Sequence, residues 1–379
     1  MGILRVILAI SVVLLHSAIF IQPGSNLFGF TFTGGIVSIQ VFFMISGFYM
    51  TMILDKKYVG KGSYKLFLSN RFLRLYPIYW TIALLTVIGS VLSYVTFGNW
   101  WILFPYARCY DFMTLKTLLF LLFTNVAIFG QDITLFLGMN TASGNMFFTS
   151  TFLSTDPAFF TFLLVPQAWT LGLELVFYLI APFIVRRNIS IIVVIIIGSL
   201  LIRGFTYLYF GSYDPWTFRF FPSELALFLL GTISYRMYRW LQENYFCKKG
   251  QYLIAIVFYT ILIYFQFLPI KNVSSFHLIS WSFYLLTCLS LPIVFQLSKS
   301  SRFDNRIGEL SYPIYISHFL VILSIRPFIA RYEFQAYAGE LSILFTIITA
   351  YILIRVVSDP IDKIRQSRVK AALSEREHR

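Results

Sequence analysis

Charge is what this sequence has least of. Only 12% of its 379 residues are charged, against 58% hydrophobic ones, and the mean hydropathy is +0.76. Soluble globular chains carry about 25% charged residues, so a soluble globular protein of this length is excluded. Acidic residues are scarcer still, 16 against 30 basic ones, for a net charge of +14. That balance invites nucleic acid as a partner. The Lys and Arg, however, lie in short loops between apolar runs, where the positive-inside rule places them, and nucleic acid is set aside. Cysteine is also sparse. Cys109, Cys247 and Cys288 show no paired spacing, which leaves no disulfide framework and no metal site to expect. No internal repeat stands out, and no small-x-small cleavage site follows the first apolar run, which argues against a cleaved leader.

What is abundant is aromatic and apolar. The 42 Phe and 24 Tyr suit lipid-facing surfaces and interfacial belts. Apolar spans of about 20 residues, the length that crosses a hydrocarbon core, fall at 3–22, 35–54, 76–97, 164–185, 189–209, 217–238, 251–268, 277–297, 309–329 and 338–358. The loop 55–75 holds Lys56, Lys57, Lys61, Lys65, Arg71 and Arg74 and reads as cytoplasmic, while the uncharged loop 23–34 reads as external. A further apolar stretch, 115–137, needs separate treatment. If it crossed, every later loop would flip, and Arg236, Arg239, Lys248, Lys249, Lys299, Arg302 and Arg306 would all face out. It is therefore expected to be re-entrant or interfacial, as backbone at depth can be when protein surrounds it. The expected fold is an all-α polytopic membrane bundle of about ten transmembrane helices, with both termini cytoplasmic. Residues 1–360 form the membrane domain and 361–379 a short charged tail, read as a surface helix. The longest external piece, 98–163, is polar only in patches and suits a lid or part of an acceptor groove.

Ionisable residues inside such spans are rare and usually face a functional interior. The first span, MGILRVILAISVVLLHSAIF, carries Arg5 and His16. Eleven residues advance a helix by about 1100°, some 20° past three turns, and by about 16 Å. Both side chains therefore point to nearly one side. Plainer readings exist: Arg5 snorkelling to the surface, and His16 bonding a neighbouring helix. Ser46-Gly47 lies mid-way along the second span, where small residues also serve packing. In RFLRLYP, Arg71 and Arg74 share one helical face at the cytoplasmic interface, as anchors or as a phosphate clamp. Glu174 sits deep in the fourth span, Arg203 in the fifth, Arg219 and Glu224 around the start of the sixth, and His318 in the middle of the ninth. His16, Glu174 and His318 fall within roughly a turn or two of the midplane. Three such residues at one depth predict a shared polar cavity, with a structural network between helices as the alternative.

Together these stretches resemble the membrane-bound acyltransferase-3 family. Arg5 and His16 stand at its Arg-x10-His spacing. VFFMISGFYMT is similar to its second helix and RFLRLYP to its Arg-x-x-Arg stretch. AWTLGLELVFYLIAP is similar to its Trp-(Ser/Thr)-Leu…Glu…Phe-Tyr…Pro helix, and GELSYPIYISHF to its Leu-Ser-Tyr-x-x-Tyr-x-x-His helix. The five occur in order from residue 1 to about 360, and no fused hydrolase-like domain of the kind some members carry is seen. The resemblance implies ten helices, a cytoplasmic acyl-CoA donor, with acetyl-CoA the first choice, and a sugar hydroxyl acceptor on a surface or lipid-linked glycan in a bacterial plasma membrane.

Transfer of an acyl group from a thioester to a hydroxyl needs a base for the hydroxyl proton and cations for the CoA phosphates. A neutral imidazole suits the first role near pH 7. His16 fits the base, and Arg71 and Arg74 fit the phosphates, with Arg5 between them beside CoA or its pantetheine arm. Glu174 would orient His16 or a water, or pair with Arg203 or Arg219. His318 is a second candidate for proton transfer or acceptor binding, and Ser46, Arg203, Arg219 and Glu224 are candidate acceptor contacts. No Ser-His-Asp spacing favours an acyl-enzyme, so direct transfer is expected, with an acyl-His intermediate as the alternative. A transporter or flippase with an intramembrane proton relay is the competing class; the lack of an inverted repeat or paired broken helices weighs against it. A lipid-linked sugar transferase would want more external acidic residues than Asp111, Asp132, Asp156 and Asp214.

Overall fold

The structure is a computed structural model that describes residues 1–60, 62–153, 155–211, 214–243 and 247–377, with side chains up to Arg368. Lys61 and the last two residues of the charged tail lie outside the described residues. The described helices are α1 (Gly2–Phe20), α2 (Gly34–Lys56), α3 (Ser63–Phe97), α4 (Phe104–Cys109), α5 (Leu115–Ala127), α6 (Trp169–Ile184), α7 (Ile189–Phe210), α8 (Phe221–Glu243), α9 (Lys248–Tyr264), α10 (Val273–Ser298), α11 (Arg302–Arg331), α12 (Ala338–Leu353) and α13 (Asp359–Glu377). A small antiparallel hairpin, β1 (Leu137–Met139) with β2 (Met146–Phe148), is the one sheet among the described residues. The protein is an all-α polytopic bundle.

Nine of the described helical segments are long and apolar enough to cross a membrane. They correspond to nine of the ten expected spans. The tenth, 217–238, is the helix α8. Its 23 residues are long enough, but Glu224, Arg236, Arg239 and Glu243 lower its hydropathy. The segment 115–137 forms only the 13-residue α5, then turns, a 3₁₀ turn and the hairpin. At about 1.5 Å per residue α5 is roughly 20 Å long, short of a ~30 Å hydrocarbon core. Its last carbonyls are capped from α3. Tyr76 Oη donates to Ala127 O (2.5 Å), Tyr79 Oη to Asn125 O (2.7 Å) and Trp80 Nε1 to Val126 O (2.9 Å). A helix can end in an apolar setting only when such orphan carbonyls find donors.

The chain divides into two compact units: 1–74 with 181–193 and 227–379, and 75–180 with 194–226. In the first unit α1 packs against α11, α2 and α12. Ala9, Val13, Leu14, Ile314, Ile322, Ile343 and Ala350 form its buried apolar centre. The pairings within this unit test the span count. Gly2 of α1 abuts Asp304 and Gly308 of α11, and His16 further along meets His318, so α1 and α11 run parallel. Likewise Gly47 of α2 abuts Phe228 of α8, and Asp55 meets Tyr235 and Arg239, so α2 and α8 run parallel. Parallel α1 and α11 require an odd number of membrane spans between them. Counting α8 as a span and α5 as none satisfies that; changing either alone breaks it.

These close approaches depend on missing side chains. A Cβ on Gly47 would lie 1.8 Å from Phe228 O, and one on Gly231 would lie 1.9 Å from Met44 O. Two glycines facing opposite backbones let α2 and α8 touch directly, as small residues do in membrane interfaces. The second unit is centred on Cys109, Leu121, Met139, Phe159 and Phe162. Asn125 ties it together: its Nδ2 donates to Phe162 O (3.1 Å) and its Oδ1 accepts from Leu164 N (2.7 Å).

Candidate functional site

In the first unit α1 and α11 bring His16 and His318 into contact. Their ring centroids are 4.8 Å apart, and His318 Nε2 lies 3.0 Å from His16 Nδ1. The hydrogen-bond pattern assigns the protons. A carbonyl only accepts, so the 2.6 Å contact of His318 Nδ1 with Tyr315 O places a hydrogen on that nitrogen. In neutral His318, Nε2 is then an acceptor. His16 Nδ1, 3.0 Å from Val12 O, carries its own hydrogen and shares it with His318 Nε2. The basic atom of His16 is therefore Nε2. His318 is fully buried, and Phe20 and Phe319 flank the His16 ring. Such an arrangement holds one imidazole in a fixed tautomer and gives it an acceptor that strengthens its hold when a proton arrives.

Three turns back on α1, Arg5 Nη2 donates to Ser311 Oγ at 2.6 Å. Arg5 also reaches the hydroxyl of Tyr49 on α2, and the charge of Arg74 acts on that same hydroxyl. Arg71 is buried and lies over the Phe67 ring at 5.9 Å, while Arg74 is exposed. Arg5, Arg71 and Arg74, expected at the donor, and His16, expected as the base, all belong to this one unit, with His318.

Ser46 is buried in the first unit, beside the Gly47 crossing. The remaining expected site residues fall in the second unit, in three separate arrangements. Glu174 of α6 accepts from Tyr178 Oη one turn on. Arg203 Nη2 and Glu224 Oε1 form a buried pair at 2.5 Å, with Arg203 Nε also donating to Ser223 O (3.2 Å). Arg219 Nε and Nη2 donate to Asp214 at 2.6 and 3.0 Å, and its guanidinium lies 4.5 Å from the Trp169 ring and 5.2 Å from Phe152.

A family model described as an acyltransferase domain matches residues 1–357. The chain belongs to the acyltransferase-3 family. An uncharacterised protein of Aquifex aeolicus is 25% identical to this acyltransferase over 217 residues, which is 56% of this chain and 93% of the relative. No solved structure matches significantly.

Sequence reasoning missed three residues of this acyltransferase, two that the structure places against Arg5 and one that caps the same helix. Ser311 and Tyr49 stand inside recognised motifs, yet only the packing of α11 and α2 on α1 directs their hydroxyls to Arg5. Asp304 is the third. Its carboxylate accepts from the Gly2 and Ile3 amides at 2.7 and 3.0 Å, capping the start of α1 from another helix. No group of three or more metal-ligating side chains occurs among the described residues.

The sequence marks Asp132 only as an external acid. In the structure it is pressed against α6, where a Cβ on Gly172 would lie 2.9 Å from Asp132 Oδ1. Burial pushes its carboxyl up to about 6, against weaker help from the backbone amides of Asp132 and Ile133. A carboxyl whose folded pKa is raised binds more protons folded than unfolded, so stability falls as pH rises from about 4 to about 6. Asp132→Asn removes that loss. We expect its thermal midpoint to match the parent at pH 4 and to exceed it at pH 7.5, by a stability increment of at most about 3 kcal/mol. Scanning fluorimetry in detergent at the two pH values checks this; an equal shift at both would contradict it.

Proposed function

We propose that this membrane acyltransferase moves an acyl group, acetyl in the first instance, from cytoplasmic acyl-CoA to a hydroxyl of a surface or lipid-linked glycan. The observation that carries the reading is helix α1. It presents Arg5 with its Tyr49–Arg74 neighbours at one end and, eleven residues on, an imidazole with a defined basic nitrogen. In the proposed step His16 Nε2 takes the acceptor hydroxyl proton as that oxygen bonds to the thioester carbonyl carbon. The C–S bond then breaks, and the leaving thiolate is protonated by the imidazolium. His318 is a positioning residue that accepts from His16 Nδ1 and stabilises the imidazolium, much as a triad carboxylate does. Arg71 and Arg74 bind the CoA phosphates, and Arg5 the adjoining part of the donor. Glu174 keeps a proposed orienting role through its place in the Trp-(Ser/Thr)-Leu…Glu…Phe-Tyr…Pro motif, and Arg203, Arg219 and Glu224 remain proposed acceptor contacts on the strength of their depth among apolar residues alone. Of these, Arg219 among its aromatic rings has the geometry to meet a sugar.

The defining experiment is turnover by purified protein in nanodiscs. Release of CoA thiol from acetyl-CoA that depends on added glycan acceptor supports the reading; acceptor movement without thioester consumption would replace it with transport. Mass spectrometry of surface glycan from a deletion strain identifies the acceptor. In the proposed orientation, with both termini in the cytoplasm of a bacterial plasma membrane, a cysteine introduced near 300 is labelled only from inside and one near 150 only from outside. Labelling of 150 from inside would mean that α5 crosses. Arg71→Ala and Arg74→Ala should each raise KM for acetyl-CoA about tenfold with a smaller change in kcat, because each removes a charge-assisted contact made before the chemical step. Steady-state kinetics decide, and a fall in kcat at unchanged KM would remove the pair from the donor site.

A further inference from the structure

The tail helix α13, expected to be a surface helix, lies on α3. Arg368 Nη2 donates to Ser69 Oγ at 3.0 Å. One turn earlier on the same helix stands Arg365, near enough to the Arg-x-x-Arg stretch for the charges of Arg74 and Arg71 to act on it. Only 17% of its side chain is exposed. Its Nη2 pairs with Asp362 Oδ1 at 3.0 Å, but its Nη1 is buried without a hydrogen-bond partner among the described residues. Three guanidinium charges thus act on one another where α13 meets α3, and Asp362 pairs with Arg365. Like charges held together and a buried donor left unmade both oppose folding. An anion of several charges would relieve both at once, and guanidinium geometry suits phosphate.

We propose that Arg365 is the third cation of a polyphosphate site formed with Arg71 and Arg74, and that the tail helix thereby contributes directly to holding the CoA donor. This rests on the acyl-CoA reading above and goes beyond it by giving α13 a role in donor binding. It also assigns Asp362 a part: that carboxylate occupies Arg365 until phosphate displaces it, so it weakens binding while keeping the site from standing fully uncompensated. The same phosphate chemistry is offered by an anionic lipid headgroup, and the test separates the two sources.

Acetyl-CoA and S-acetylpantetheine, which lacks the phosphates of CoA, are titrated calorimetrically into full-length protein in nanodiscs of phosphatidylcholine alone. Arg365→Ala should weaken acetyl-CoA binding tenfold or more and leave acetylpantetheine binding unchanged, with Arg365→Lys in between. Asp362→Asn should tighten acetyl-CoA binding about threefold, since it releases Arg365 from its competitor. A merely structural Asp362–Arg365 pair gives the opposite sign, with Asp362→Asn losing affinity as Arg365→Ala does, and that result overturns the proposal. So does an Arg365→Ala protein that binds acetyl-CoA as the parent does. An effect of Arg365→Ala that appears only after phosphatidylglycerol is added to the discs assigns the cluster to lipid headgroups and overturns it as well. Failure of the parent protein itself to bind acetyl-CoA is a separate outcome, which removes the donor reading along with this proposal.

Discussion

His16→Ala protein should fold, insert and bind acetyl-CoA, yet transfer acyl groups about 10²–10⁴-fold more slowly, the range lost with a positioned general base. The effect is expected in kcat and kcat/KM alike, because a base contributes in the transition state and little to ground-state binding. The reason lies in the hydrogen-bond pattern. Val12 O and His318 Nε2 both take the Nδ1 hydrogen, which fixes Nε2 as the atom that accepts the proton. His318→Ala should lower kcat by less. It removes an orienting acceptor while leaving the basic nitrogen, and it should move the acidic limb of the pH–rate profile, which a packing residue alone would not do. CoA binding by calorimetry and turnover by thiol release separate these cases. Loss of donor binding in parallel with turnover in the His16→Ala protein would make His16 a part of the donor site.

The second large effect is on stability. Glu224→Ala leaves the Arg203 guanidinium buried without its carboxylate, and removing one partner of a buried pair costs about 3–5 kcal/mol. Glu224 is fully buried and Arg203 nearly so, at 2.5 Å separation. Folded yield and thermal midpoint should therefore collapse in the single variant. Arg203→Met with Glu224→Leu together should recover most of both, because apolar replacement of a whole buried pair is often neutral. The double variant also decides the pair's role. Recovered stability with normal transfer makes it a strut between α7 and α8. Recovered stability with lost transfer would restore both residues to the acceptor site.

That contrast shows where the sequence stops being legible. Depth along a helix can be counted, which is why the apolar spans and the shared face of Arg5 and His16 are readable from spacing, while loop charge sets 115–137 apart from those spans. The direction in which a helix turns its faces cannot. Charge at depth suggests Arg203 and Glu224 as acceptor contacts, but they are 21 residues apart and face each other. His318 lies 302 residues from His16, and only the parallel packing of α1 on α11 brings the rings together. Arg365 is hidden for the same reason: its tail reads as a solvated charged helix, and the bond from Arg368 to Ser69 spans 299 residues. The span at α8 is legible from its length despite its charges, two of which are paired: Glu224 meets Arg203 and Arg239 meets Asp55.

The most direct test of the account is acyl transfer by His16→Gln protein in sealed proteoliposomes loaded with labelled acetyl-CoA, with glycan acceptor supplied outside. Glutamine can keep one hydrogen bond of the histidine but cannot accept a proton at neutral pH. The account predicts normal folding, normal acetyl-CoA binding and no label on the acceptor above background. Substantial labelling of acceptor by a well-folded His16→Gln protein would contradict His16 as the base and transfer that role to His318.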